Sequence, residues 1–231
     1  MDYDELEDEQ NEIDEEISEI ADENGLNYEF KPMPDGICDI SAYLDARVKI
    51  MWVLKEPYIK DNYWCSLREL FSEYPYTTNI SNRTHQYMAY VSYGILNNVY
   101  SQDMDYLCND KSIGESLHEI AYINLSKMPI NGDNGTNTDD SSLWDKYQTW
   151  KNVLWRQINS FRPDVIIFGG TFKYFEEDFF PDGTPDSYDY SDRTHTYWYG
   201  DQLLIDTDHP AYIKGEWKRC NDIISAVNEN F

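Results

Sequence analysis

Three residues of this chain combine a hydrogen-bonding or titratable side chain with a position just past an apolar run: Glu56, Asn124 and His209. Glu56 follows the run Val48 to Leu54. A carboxylate there can orient or deprotonate a water, or simply cap a helix or face solvent. Asn124 ends the run 118–125. An amide in that place is costly unless paired. It donates and accepts at once, which suits the imide edge of a base such as uracil; an Asx turn is the plainer role. His209 lies in Thr207-Asp208-His209-Pro210. A histidine held in a rigid turn can donate to a developing oxyanion, and a structural histidine is the alternative. Metal ligation by Asp206, Asp208 and His209 is disfavoured, because the other histidines lie in dissimilar contexts. Neither a metal nor a cofactor is predicted.

The neighbours of these residues add to the chemistry. Lys55, Pro57 and Tyr58 flank Glu56. Gly169-Gly170-Thr171 follows the run Val165 to Phe168. That pair can meet a phosphate at a helix N-terminus, or serve as a tight turn. GxGxxG, Walker, GxSxG and HExxH signatures are absent. Four cysteines, Cys38, Cys65, Cys108 and Cys220, have no metal-site spacing and read as free, mostly buried thiols.

The elements that must position these groups alternate in type. Apolar runs predict strands at 48–54, 118–125, 165–168 and 202–206, and apolar periodicity predicts helices at 66–73, 83–100, 143–160 and 215–228. Residues 131–142 and 181–195 read as loops, the first without EF-hand spacing. Solid apolar strands between helices predict an α/β three-layer sandwich, with a mostly parallel four-stranded central sheet flanked by helices. In such sheets ligands bind beyond the carboxyl ends of the strands, where Lys55 to Tyr58, Asn124 to Pro129 and Asp208 to Tyr212 all fall. Residues 1–25 form an acidic N-terminal helix or arm, with Leu6, Ile13, Ile17 and Ile20 near one face and Gly25 as its stop; 26–231 form a single domain.

These segments resemble the uracil-DNA glycosylase superfamily. Leu54-Lys55-Glu56-Pro57-Tyr58 resembles its Gly-Gln-Asp-Pro-Tyr loop, Ile123-Asn124-Leu125 its Leu-Asn-Thr segment, and His209-Pro210-Ala211 its His-Pro-Ser; Val165 to Gly170 is similar to its glycine-ended strand. The order holds across about residues 45–230. The resemblance implies a uracil-DNA glycosylase-like fold and hydrolysis of the N-glycosidic bond of uracil or another altered base flipped out of DNA. It implies that Glu56 positions water, Asn124 reads the base, His209 supports the departing base and Tyr58 walls the pocket. Lys55, Pro57, Gly169 and Gly170 would line the site. Tyr212 and Ile213 would fill the vacated stack, with Lys214 against DNA. The chain departs from the pattern at Leu54, Lys55, Glu56 and Ala211.

Charge sets a competing expectation. The net charge is −26, and residues 1–24 hold 13 acids and no base. The remainder still has 31 acids against 18 bases. A broad polyanion-binding face is therefore excluded. DNA would need a focused basic strip from Lys214, Lys218 and Arg219, with Lys55 and Lys127. Otherwise the same pocket holds a free nucleobase or nucleotide, or the chain binds a protein through its acidic arm. No apolar run is long enough to span a membrane, and no secretory signal opens the chain. A cytoplasmic location is the expectation.

Overall fold

The computed structural model describes residues 2–26, 30–59, 66–72, 80, 82–131, 139–212 and 216–231. Its strands are β1 (Gly36–Ile37), β2 (Ile50–Leu54), β3 (Tyr58–Ile59), β4 (Ala121–Asn124), β5 (Ile130–Asn131), β6 (Val165–Gly169), β7 (Tyr188–Ser191), β8 (Thr194–Tyr199) and β9 (Gln202–Thr207). Its helices are α1 (Tyr3–Glu23), α2 (Ile40–Asp45), α3 (Leu67–Ser72), α4 (Arg83–Asn97), α5 (Lys111–Glu115), α6 (Asp140–Phe161), α7 (Phe172–Phe179) and α8 (Glu216–Asn228).

The main sheet has seven strands in the order β1-β4-β2-β6-β9-β8-β7. The four predicted strands are its parallel centre, β4-β2-β6-β9. The expected four-stranded sheet is thus too small. It gains β1, antiparallel to β4, at one edge and the antiparallel hairpin β7–β8 at the other. That hairpin lies largely within 181–195, read from sequence as a loop. β7 is exposed or half-buried throughout, so it carries no apolar run to signal it. A separate two-stranded ribbon joins β3 to β5.

β2, β4 and β6 are buried at every position because helices cover both faces. On one face Ile50, Trp52 and Leu54 pack with Phe71 of α3, Val91 of α4 and Ile223 of α8. Trp52 donates its indole N–H to Ser92 at 3.2 Å, which satisfies the buried donor. On the other face Met51, Val53 and Phe168 pack with α1, α2, α6 and α7. Aromatic residues fill much of this second layer, with Phe168 in contact with Phe172, Phe175 and Phe179.

α1 starts with a reciprocal capping box between Asp2 and Glu5. Leu6, Ile13, Ile17 and Ala21 are fully buried in the second layer. This stripe is what docks the helix, since exposed ion pairs add little. Its acids also find partners on the domain: Arg156 of α6 binds Glu9, Glu12 and Glu16, and Arg68 binds Asp14.

No helix among the described residues is long and apolar enough to cross a membrane.

Candidate functional site

The chain runs from β2 to β4 on one side, then crosses to β6 on the other. The sheet's topological switch point therefore lies between β2 and β6, the place where open α/β sheets form a ligand crevice beyond their strand ends. Lys55 leaves β2 there, and Gly169-Gly170 closes β6. A Cβ at Gly169 would stand 2.3 Å from a Leu54 methyl, 3.0 Å from Pro210 Cδ and 3.8 Å from His209 Cα. Any side chain here would force Leu54 to shift and would press on Pro210. Gly170 has φ +71° and forms the tight strand-to-helix turn, its N–H donating to Thr207 O at 2.7 Å. A Cβ on Gly170 would meet His209 at 3.4 Å and Lys55 Cε at 3.7 Å. Three separate loops thus converge.

His209 is mostly buried. Burial first, and the charge of Lys55 second, hold its imidazole down to about 4. At neutral pH the ring is therefore uncharged. Ala211 N–H donates to Nδ1 at 3.2 Å, which places the single proton on Nε2. An Nε2–H donor is what a developing oxyanion needs. Tyr212 packs edge-on to His209, with ring centroids 5.8 Å apart, and Lys55 Nζ lies 5.9 Å from the Tyr212 centroid. Tyr58 is exposed, and its hydroxyl pKa is raised by burial first, then by the charges of Glu56 and Tyr212.

Glu56 is buried, and its carboxylate is bound by Lys146 of α6. Sequence reasoning missed Lys146. It flanks the apolar stripe of Leu143, Tyr147 and Trp150, and nothing in its spacing distinguishes it from a solvent-facing lysine. Pro57 is buried, and its carbonyl accepts from Ile130 at 3.0 Å, tying the loop after β2 to the loop after β4.

Asn124 is also fully buried, but on the sheet face covered by α3 and α4. Its Oδ1 accepts from Tyr122 OH at 3.1 Å, and its Nδ2 has no partner among the described residues. No hydrogen bond among the described residues joins it to Glu56 or His209. Glu56 with Lys146 stands past the end of β2, His209 lies with Lys55 beside the Gly170 turn, and Asn124, in register with Leu54, ends the neighbouring β4. Its backbone N–H is fixed by Asp35 at 2.7 Å. Asp35 also receives Lys127 Nζ at 2.7 Å and Gln157 Nε2 at 2.9 Å.

The expected basic strip is corrected at two positions. Lys127 is fully buried and paired with Asp35, so it cannot reach a phosphate. Arg219 is paired with Asp208 at 3.1 Å, as is Arg193. Ile213, Lys214 and the side chain of Lys218 lie outside the described residues, as do Cys65 and residues 132–138. Cys108 is exposed rather than buried; Cys38, Cys108 and Cys220 are free thiols. Among the described residues no group of three or more His, Cys, Asp or Glu is placed to hold a metal. A second cleft, of about 490 Å³, opens beside the N-terminal end of β4 between α1 and α3, lined by Tyr3, Gln10, Cys38, Arg68 and His118.

Asp206 enters the site's electrostatics from β9. Burial raises its carboxyl to about 6, against the opposing pull of His195. Its unfolded value is near 3.8. Between those values the folded state binds the extra proton, so stability falls as pH rises through the window. Asp206→Asn is expected to raise the melting temperature by roughly 5 °C at pH 7.5, for a gain on the order of 2 kcal/mol. Little gain is expected at pH 3.5. Thermal melts at both pH values check this.

The chain matches no protein-family model, and no curated protein matches it.

Proposed function

We propose that the carboxyl-end crevice binds a uracil-type base and that the chain hydrolyses the N-glycosidic bond of uracil or another altered base, as a divergent uracil-DNA glycosylase-like protein. The observation that carries this reading is Asn124. A fully buried amide donor without a partner among the described residues costs about 1–3 kcal/mol, and such a group calls for a reason. A carbonyl of a bound base supplies one. Glu56, held by Lys146, then orients the attacking water and offsets positive charge on the sugar. His209 Nε2–H donates to the oxygen that gains charge as the base departs. Attack of water on the anomeric carbon breaks the carbon–nitrogen bond; the water gives up its surplus proton to solvent through the Glu56 carboxylate, and the base leaves as its anion, protonated afterwards by solvent.

One observation favours a second reading, a base- or nucleotide-binding module without chemistry. The Glu56 carboxylate is already engaged by an ammonium, which weakens it as a base. Both readings place the ligand in the same crevice.

Amide-resolved NMR with added uracil tests the location. The expected perturbations fall on Lys55, Gly170, His209 and the Asn124 side-chain amide. Perturbations confined to the cleft between α1 and α3, or none at all, overturn the location and both readings with it.

A further inference from the structure

We propose that the unit this crevice accepts is a nucleoside monophosphate, not a nucleic-acid strand. The inference rests on the base-site reading above and adds what the rest of the ligand must be. A strand-binding protein neutralises several phosphates at once, through a row of cations free to leave their own partners. Around this crevice the described cations are already occupied. Lys146 binds Glu56, Lys173 binds Asp140, and Arg193 and Arg219 both bind Asp208. Lys127 is sealed in the core against Asp35. The chain's charge of −26 repels a polyanion approaching from any distance beyond these pairs.

Lys55 is the exception. Among the described residues no carboxylate is within ion-pair distance of it. Its ammonium stands over the Tyr212 ring, and its Cε lies against the Gly170 turn, beside His209. Among the described residues, one uncommitted ammonium matches one phosphate. The two rings beside it, Tyr58 and Tyr212, are 54% and 52% exposed, which leaves flat faces for a base or sugar at the mouth. Tyr212, which the resemblance makes a wedge into a base stack, also lies 5.9 Å from the Lys55 ammonium.

The test compares deoxyuridine, deoxyuridine monophosphate and a uracil-containing single-stranded oligonucleotide by calorimetry, on the full chain at low salt. The monophosphate is expected to bind roughly tenfold or more tightly than the nucleoside. Lys55→Ala is expected to erase that difference, and Lys55→Arg to restore it. Equal binding of nucleoside and monophosphate overturns the phosphate role and leaves the base site standing. Tighter binding of the oligonucleotide than of the monophosphate overturns the substrate class alone. If none of the three binds, the base-site reading falls and this inference with it. Melting temperatures of the variants guard against misfolding; Lys55 is outside both core clusters, so they should match the wild type.

Discussion

Lys127→Met is expected to cost about 3–5 kcal/mol, the range for removing one partner of a buried ion pair. Lys127 and Asp35 have side chains with no solvent exposure. The ammonium donates to Asp35 at 2.7 Å and to Gln157 Oε1 at 2.8 Å. Burial lowers the lysine pKa, and the Asp35 charge opposes that shift. Methionine keeps most of the volume but strands a carboxylate in the core. The two remaining donors, the Asn124 N–H and Gln157 Nε2, cannot replace a full charge. At about 2–4 °C per kcal/mol, the melting temperature should fall by roughly 10 °C. Adding Asp35→Asn should recover half of the loss or more, because the stranded charge is gone. A double-mutant cycle by thermal melts measures this directly. The pair also anchors the backbone at Asn124, so Lys127→Met should weaken uracil binding as well as folding.

His209→Ala is expected to lower the rate of base release by roughly a hundred- to a thousandfold, the usual cost of losing one oxyanion donor. The basis is the protonation state. The imidazole is held down to about 4 by burial and then by Lys55, and Ala211 fixes its proton on Nε2. No inflection near pH 6.5 should appear in the wild-type rate profile. The linkage has a definite sign. The unfolded histidine takes up a proton near pH 6.5 and the folded one only near 4, so this site makes stability fall as pH drops through that window. His85, buried and also held to about 4, acts in the same direction. His209→Ala should therefore flatten part of the acid-side loss of stability. Following the imidazole resonances against pH checks the midpoint, and a midpoint near 6.5 for His209 contradicts the neutral-donor role.

The sequence exposed the centre of the fold because its signal is local. Runs such as Ile50–Leu54 and Val165–Gly169 are apolar at almost every position, and only strands covered on both faces read that way. The edges were illegible for the opposite reason. β7 and the outer end of β8 keep solvent-facing Tyr, Asp and Trp, so no buried alternation marks the whole hairpin. α7 is short, and its Thr171 does not cap it; the hydroxyl turns back to Val53 O at 2.7 Å.

The site divided in the same way. Lys55, Gly170 and His209 were readable because strand-end positions converge by topology alone. The ion pairs were not. Lys127 pairs with Asp35 across 92 residues, and Lys146 with Glu56 across 90. Nothing local in the sequence distinguishes a lysine sealed in a core from one on a surface strip. Asn124 is legible by type and position, yet its burial beside Tyr122 depends on which face of β4 it takes.

The most direct test is release of free uracil from deoxyuridine monophosphate, deoxyuridine and uracil-containing DNA, measured by chromatography at low salt with wild type and His209→Ala in parallel. Free uracil from the wild type, falling a hundredfold or more in the variant, is the expected result. No uracil from any of the three, from a protein whose Lys55, Gly170, His209 and Asn124 still respond to uracil, would contradict hydrolysis and leave a binding module.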